Sequence, residues 1–167
     1  RVVVAWLAIP LARGVATPST GVEHGAGGAI IPPDSYWPAI KEVLERHQIL
    51  RTALWLDSDQ PLQFVRRAVA LPWRELDWHE MDEVARDTAL EKLLEKERNA
   101  GFELTQPPLL RCVLIRMDDA HWQFVLGFHH LLLDGWSLPI LFRDLMLLYD
   151  SRATDLPAAA PYEHYIA

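Results

Sequence analysis

The chain has 167 residues, of which 50% are apolar and 23% are charged. This composition excludes wholesale disorder, and the length predicts a single domain or one lobe of a larger one. The formal net charge is −7 and no long basic run offsets it, which argues against nucleic-acid binding because an acidic surface repels a phosphate backbone. The single cysteine, Cys112, excludes an internal disulfide and is expected to be a buried, inert thiol.

The first segment is apolar from Val2 to Leu11 and is too short to cross a membrane. With Arg1 in front it resembles a signal-peptide core, but no small-residue cleavage site follows closely, so we predict a buried strand. Because the chain does not begin with Met, we expect it to be a piece of a longer protein. Residues Ala12 to Pro33 are rich in Gly, Pro, Ser and Thr and are predicted to form a loop.

Hydrophobic periodicity predicts the remaining elements. The first is a helix capped by Asp34 or Ser35 and ending near Gln48, followed by strands at Leu50–Leu56 and Leu62–Val65 and by an irregular or edge segment at Leu71–Trp78. A second helix at Asp82–Asn99 precedes strands at Leu109–Met117 and Trp122–His130. The last element is a helix capped by Ser137 and ending near Ser151. Charged residues near the end of the Asp82–Asn99 helix, Glu97 among them, are expected to form a solvated face. The irregular order of helices and strands favours an α+β fold.

Two adjacent histidines, His129 and His130, end the second strand of the predicted hairpin. Side chains alternate between the two faces of a strand, so these rings cannot chelate one ion, and we predict no metal site. The pair indicates one histidine for chemistry and one for structure. Asp134, four residues after His130, could orient that imidazole, lock the loop by pairing with an arginine, or only cap a turn. The N–H of Gly135 could face a developing oxyanion.

The string HHLLLDGWS, from His129 to Ser137, resembles the HHxxxDG core motif of nonribosomal peptide synthetase condensation domains. Other segments resemble the family's motifs in the same order: LERHQILRT at 44–52, QPLQFV at 60–65, LPWRELDW at 71–78, GFEL and PPLLR between 101 and 111, and LP and PYEHYIA between 156 and 167. The resemblance covers residues 33–167, while residues 1–32 stay unassigned.

The resemblance implies an α+β fold of the chloramphenicol-acetyltransferase type, with a mixed sheet backed by helices. Domains of this family are pseudo-dimers of two such lobes with the active site in a tunnel between them. This chain would be the N-terminal lobe, one wall of that tunnel. We expect the helix after Ser137 to pack on the sheet that contains Trp122 to His130.

The resemblance also implies an activity: amide-bond formation between a donor acyl or peptidyl thioester and the α-amine of an acceptor aminoacyl thioester. Donor and acceptor peptidyl carrier proteins would deliver both substrates on phosphopantetheine arms, and the second lobe would be a further partner. No cofactor or metal is expected to bind directly, no nucleic acid or membrane is expected as a partner, and the expected localisation is cytoplasmic.

Five residues carry the implied site. His130 is the candidate active-site histidine and His129 its structural neighbour. Asp134 is the family's structural carboxylate, which the resemblance pairs with Arg51, and a buried guanidinium and carboxylate would suit each other in charge and geometry. Gly135 would permit close approach of the substrate thioester. Without the second lobe, the isolated chain is expected to be inactive.

Other functions stay open on the sequence. The chain could be a non-catalytic lobe that only docks a carrier protein, or a related HHxxxDG acyltransferase with an alcohol acceptor, of the wax-ester or polyketide-associated kind. A metal hydrolase using His130 and Asp134 is the least favoured hypothesis. Ser137 could be a nucleophile, but no GxSxG elbow surrounds it, and helix capping explains it better.

Overall fold

A computed structural model describes residues 2–10, 36–57, 60–119, 121–159 and 162, with the backbone alone for residues 2–10. The strands are β1 (Val2–Pro10), β2 (Thr52–Trp55), β3 (Leu62–Val65), β4 (Trp73–Asp77), β5 (Leu110–Arg116) and β6 (His121–His129). The helices are α1 (Tyr36–Arg46), α2 (Glu83–Asn99) and α3 (Ser137–Tyr149), with short 3₁₀ turns at Gln48–Arg51 and Ala153–Asp155. No helix in these ranges is long and apolar enough to span a membrane.

Four strands form the main sheet, in the order β1-β6-β5-β4. Strand β4 pairs parallel to β5, while the β5–β6 and β1–β6 pairs are antiparallel, so the predicted mixed sheet is confirmed. The segment predicted as irregular or edge contains β4, at one end of the sheet. The apolar run that begins at Val2 is a strand as predicted, and it pairs along the whole of β6. Strands β2 and β3 form a separate antiparallel hairpin.

Helices cover both faces of the main sheet. Helices α1 and α3 pack on one face, where Leu145 of α3 belongs to the same buried cluster as Phe124, Leu126 and Phe128 of β6. Helix α2 covers the other face through Leu93, which is buried together with sheet residues such as Val125. The alternation of side chains along β6 explains this division, because successive residues point to opposite faces. The predicted packing of the helix after Ser137 is therefore confirmed.

Helix α2 has the ends that the sequence predicts. The side chain of Asp82 accepts a hydrogen bond from the N–H of Ala85 at 2.8 Å, as an N-cap does. Gly101, with φ of 65°, follows the helix in the left-handed conformation that glycine adopts most easily. The prediction that Glu97 is solvated is wrong: the residue is 4% exposed, because it lies one turn after the buried Leu93 on the same side of the helix.

Helix α1 and the strand after it differ slightly from prediction. The expected caps, Asp34 and Ser35, lie outside the described residues. The predicted strand from Leu50 starts only at Thr52, because residues 48–51 form a 3₁₀ turn. Cys112 is buried in β5 and burial raises the pKa of its thiol far above the usual range, so it is protonated and unreactive as expected.

Candidate active site

The HHxxxDG motif runs from the last residue of β6 into the loop before α3. The strand ends at His129, whose N–H donates to the carbonyl of Leu109 at 2.9 Å. The chain then turns, and the N–H of Leu132 donates back to the carbonyl of His129 at 2.9 Å. His130 is therefore the first residue of a turn and not, as predicted, the last residue of the strand. The turn leaves His130 exposed.

The ring of His130 is held by the backbone of its own loop. Its Nδ1 lies 2.8 Å from the carbonyl oxygen of Leu133. A carbonyl oxygen only accepts hydrogen bonds, so Nδ1 carries the proton of the neutral ring. Nε2, on the other side of the ring, then has the lone pair. Since the residue is exposed, this arrangement presents a basic nitrogen at the surface of the lobe in a fixed orientation.

The neighbouring ring, His129, is partly buried at the end of β6. Its Nδ1 accepts a hydrogen bond from the N–H of Leu131 at 3.2 Å. Burial, together with the positive charge that His130 carries when protonated, lowers the pKa of His129. The ring is therefore neutral at pH 7, and this contact helps to close the turn that carries His130.

Asp134 caps helix α3. Its Oδ1 accepts hydrogen bonds from the N–H of Trp136 at 3.1 Å, the N–H of Ser137 at 2.8 Å and the hydroxyl of Ser137 at 2.6 Å. The hydrogen bond from the Ser137 hydroxyl and those from the two N–H groups hold the pKa of Asp134 below its usual value. The prediction that Ser137 caps the helix is wrong, because Ser137 is the first residue of α3. The capping side chain is that of Asp134, three residues earlier, which accepts the N–H of Ser137.

The predicted pair of Asp134 and Arg51 is also wrong. Asp134 is exposed, and its hydrogen bonds go to its own loop and to α3. The guanidinium of Arg51 instead donates to backbone carbonyls, because the end of α1 and the exit of β3 surround it with acceptors. These acceptors are the carbonyls of Leu44 at 3.1 Å, Glu45 at 3.2 Å and Arg67 at 3.1 Å, together with that of Arg66. Arg51 therefore ties α1 to the β2–β3 hairpin.

The surface around the motif is open and apolar. A Cβ atom built on Gly135 would meet no atom within 4 Å. Three large apolar side chains nearby are exposed: Leu131 by 52%, Trp136 by 86% and Ile140 by 49%. Among the described residues no atom fills the space beside Gly135, so this space is available to a group that approaches from outside.

Sequence reasoning missed a buried ionic group beside this loop. The carboxylate of Asp144 in α3 is 1% exposed and interacts with Arg46, His47 and Arg143; we name these four residues the Asp144 cluster. A cavity of about 420 Å³ is lined by the cluster and by the loop residues Leu132 to Asp134. The available signal was the adjacent arginine and histidine inside the LERHQILRT segment, two basic side chains at the end of a helix.

The described residues contain no group of three or more His, Cys, Asp or Glu side chains placed to hold a metal ion. In particular, the hydrogen bonds of His130 and Asp134 go to different partners, the carbonyl of Leu133 and the start of α3. The two side chains therefore do not form the direct imidazole–carboxylate pair that the sequence left open.

Comparison with known proteins gives a consistent result. A family model described as the Condensation domain matches residues 33–167. One of the proteins that make up the linear gramicidin synthase of Brevibacillus parabrevis is 41% identical over 139 residues, which amount to 80% of this chain and 3% of that protein. Phosphinothricin tripeptide synthetase PhsC of Streptomyces viridochromogenes is 32% identical over 134 residues, or 80% of this chain and 12% of that protein.

A solved structure agrees with these relatives. The SgcC5 protein of Streptomyces globisporus superposes with a TM-score of 0.74 at 26% identity, over 98% of this chain and 34% of that one. The chain thus spans a small part of its curated relatives and about a third of this structure. From the family match, the relatives and the fold together, the chain belongs to the Condensation domain family of nonribosomal peptide synthetases, with the α+β architecture of a chloramphenicol-acetyltransferase-like lobe.

Proposed function

We propose that this chain is the N-terminal lobe of a condensation domain that joins a donor acyl or peptidyl thioester to the α-amine of an acceptor aminoacyl thioester. The observation that carries the proposal is the exposed ring of His130, the second histidine of the motif, with Nδ1 held 2.8 Å from the carbonyl of Leu133. Both thioesters are presented on phosphopantetheine arms of carrier proteins. These arms belong to the substrates, and the lobe itself needs no bound cofactor.

The chemistry of the amine defines what His130 does. An α-amine with a pKa of about 7.7–8.0 is already roughly 9–17% neutral at pH 7, so a base gains little by deprotonating it beforehand. When the amine nitrogen attacks the thioester carbon, it becomes cationic in the tetrahedral intermediate. Nε2 of His130 accepts the proton lost from that nitrogen. As the C–S bond breaks, the departing sulfur takes a proton from the imidazolium, which leaves an amide, a free thiol and a neutral ring.

The open surface near His130 supports a two-lobe active site. Gly135 has free space on its Cα, which allows a thioester to pass close to the backbone, and its N–H is the candidate donor to the oxyanion. The exposed side chains of Leu131, Trp136 and Ile140 form an apolar rim that the second lobe covers. Burial of this rim would exclude water, so that the thioester reacts with the amine and not with water.

Three further candidate residues have structural roles in the lobe. The ring of His129 accepts a hydrogen bond in the turn after β6, and the carboxylate of Asp134 caps α3. These two contacts hold the segment to which the ring of His130 is hydrogen-bonded. Arg51 holds the 3₁₀ turn against the hairpin and lies outside this segment. None of the three needs to touch substrate.

The test replaces His130 by Ala in the two-lobe domain. We expect product formation to fall by about 10²-fold or more, the usual contribution of a general base, while the melting temperature stays near that of the parent because the side chain is exposed. The measurement is intact-mass detection of the condensed product on the carrier protein. His121→Ala is the matched control, an exposed histidine at the other end of β6, and should keep parental activity. An unchanged rate in His130→Ala would refute the assignment.

Two arms of the same assay separate the remaining functions. If the chain is only a docking lobe, it binds the carrier protein but no condensed product appears even when the second lobe is supplied. Offering an acceptor alcohol in place of the amine, on the same carbon skeleton, distinguishes ester formation from amide formation. We expect product only with the second lobe present and a preference for the amine.

A further inference from the structure

Three basic side chains converge on one buried carboxylate in α3. Oδ2 of Asp144 lies 3.0 Å from Nε of Arg46 and 3.1 Å from Nε2 of His47. Oδ1 accepts from Nε of Arg143 at 2.9 Å and from Nη2 at 2.6 Å. Arg46 and His47 stand at the end of α1, so the Asp144 cluster fastens that end to the middle of α3.

The charges in the cluster are well defined at neutral pH. Burial raises the pKa of Asp144, but hydrogen bonds from Arg143 and Arg46 outweigh it, so the pKa lies below its usual value. Burial lowers the pKa of His47 more than the charge of Asp144 raises it. His47 is therefore neutral and donates its Nε2–H to Asp144, which remains ionised.

Such a cluster is not explained by stability alone. Charged groups lose hydration on burial, and well-packed apolar side chains of similar volume often stabilise a protein as well or better. The surrounding contacts between α1 and α3 are already apolar, with Tyr36, Ile40 and Val43 of α1 fully buried. What an ionic cluster adds to such a contact is one preferred rotation and register of the two helices.

The rotation of α3 matters because the helix begins at the motif. Ser137 precedes Asp144 by seven residues, which is about 10.5 Å or two turns of a rigid helix. Asp134 is bonded to that helix start, and the carbonyl of Leu133, one residue before, holds the ring of His130. The cavity of about 420 Å³ between the cluster and the loop leaves room for the loop to shift if α3 rotates.

We propose that the Asp144 cluster positions His130: by fixing α3 against α1, it sets the helix start, the Asp134 cap and the carbonyl that orients the catalytic ring. This inference rests on the proposed function of His130. It makes Asp144 and His47 positioning residues, which do not contact substrate themselves.

The test compares Asp144→Asn with Glu97→Gln in the two-lobe domain. Glu97 is the matched control, a carboxylate buried to a similar degree on the other face of the sheet and bonded to Arg74 and Arg111. Two readouts are taken at equal folded fraction: kcat for amide formation, and the ¹⁵N–¹H ring signals of His130, which report its tautomer. We expect Asp144→Asn to lower kcat by about 10- to 100-fold at unchanged KM and to mix the two tautomers, because a small misplacement of a catalytic group costs rate. Glu97→Gln should change neither.

A second pair of variants guards against misfolding. His47→Gln keeps an N–H donor close to the position of Nε2 and should retain the parental kcat and the parental His130 ring signals. His47→Leu has no such donor and should change both. The positioning role would be overturned if Asp144→Asn and Glu97→Gln changed kcat and the His130 ring signals equally. It would also be overturned if the His130 signals were unaltered in both Asp144→Asn and His47→Leu. The ring signals decide this even if the parent forms no amide, in which case it is the proposed function that fails.

Discussion

The two faces of the sheet each carry a buried carboxylate with basic partners. On one face Glu97 of α2 accepts from Arg111 at 2.5 Å and from Arg74, and we name these three residues the Glu97 cluster. On the other face lies the Asp144 cluster. Glu97 and Asp144 are 4% and 1% exposed, so each carboxylate has lost its hydration and needs its basic partners to compensate for that loss.

The clusters differ in what they join. Arg111 also donates to the carbonyl of Gly101 at 2.8 Å and stacks 4.2 Å from the centre of the Phe102 ring, so the Glu97 cluster fastens the end of α2 to strands β4 and β5. The Asp144 cluster joins two helices and shares a cavity with the loop of His130. It also contains a histidine, His47, whose pKa is lowered by burial. The Glu97 cluster thus anchors α2 to the sheet, whereas the Asp144 cluster lies beside the loop that carries His130.

The largest effect on stability is expected from removing either carboxylate. Asp144→Ala and Glu97→Ala should each lower the free energy of unfolding by about 3–5 kcal/mol, because each leaves one mostly buried arginine, Arg46 or Arg111, without its partner. Urea or thermal unfolding of the two-lobe domain measures the loss. Glu95→Ala, at an exposed position of α2, is the control and should stay within about 0.5 kcal/mol of the parent. A loss at only one cluster would show that the two are not equivalent anchors.

Acidification should separate the clusters. The pKa of His47 is lowered on folding by burial, so the unfolded chain binds this proton more readily and stability falls as the pH drops below about 6.5. The groups that face His47 are Asp144, Arg46 and Arg143. Asp144 stays ionised over this pH range because its pKa lies below its usual value. Melting between pH 7.5 and 5.5 should show a smaller decline in His47→Gln than in the parent. His129, whose pKa is also lowered, contributes equally to both proteins and cancels in the comparison.

For this pH test, Glu97→Gln is the control, since no histidine belongs to the Glu97 cluster. Its melting temperature should decline with pH as steeply as that of the parent. If the melting temperature of His47→Gln declines as steeply as those of the parent and Glu97→Gln, the pKa of His47 does not differ between the folded and unfolded states.

The smallest effect is expected at the exposed carboxylate of the motif. Ser137→Ala removes one hydrogen bond to Asp134 and should lower the melting temperature only slightly, because that hydrogen bond is exposed to solvent. Asp134→Ala should lower the melting temperature less than Asp144→Ala does, because Asp134 is solvated and leaves no buried charge behind. Thermal melting of the three variants side by side is the measurement. An Asp134→Ala loss as large as that of Asp144→Ala would indicate a buried ionic partner for Asp134.

Much of the fold was predictable because its signals are local. The 17-residue helix α2 shows its cap, its apolar row and its terminal glycine within one stretch of chain, and both hairpin strands are short apolar runs separated by turn residues. The HHLLLDGWS string marks the candidate site, since its residues are consecutive. The predicted strand end is wrong by one residue at His129, because the hydrogen bond that closes the turn is visible only in three dimensions.

The partners of the charged residues were decided by tertiary structure. Arg51 was expected to reach Asp134, but carbonyls of α1 and the β3 exit lie closer to its guanidinium, and the start of α3 supplies three donors to Asp134. Glu97 and Asp144 look like ordinary surface charges in the sequence of their helices until β5 and α1 bring arginines against them. Periodicity and capping follow from neighbours along the chain, whereas an ion pair forms between whichever groups the packed elements bring within a few ångströms.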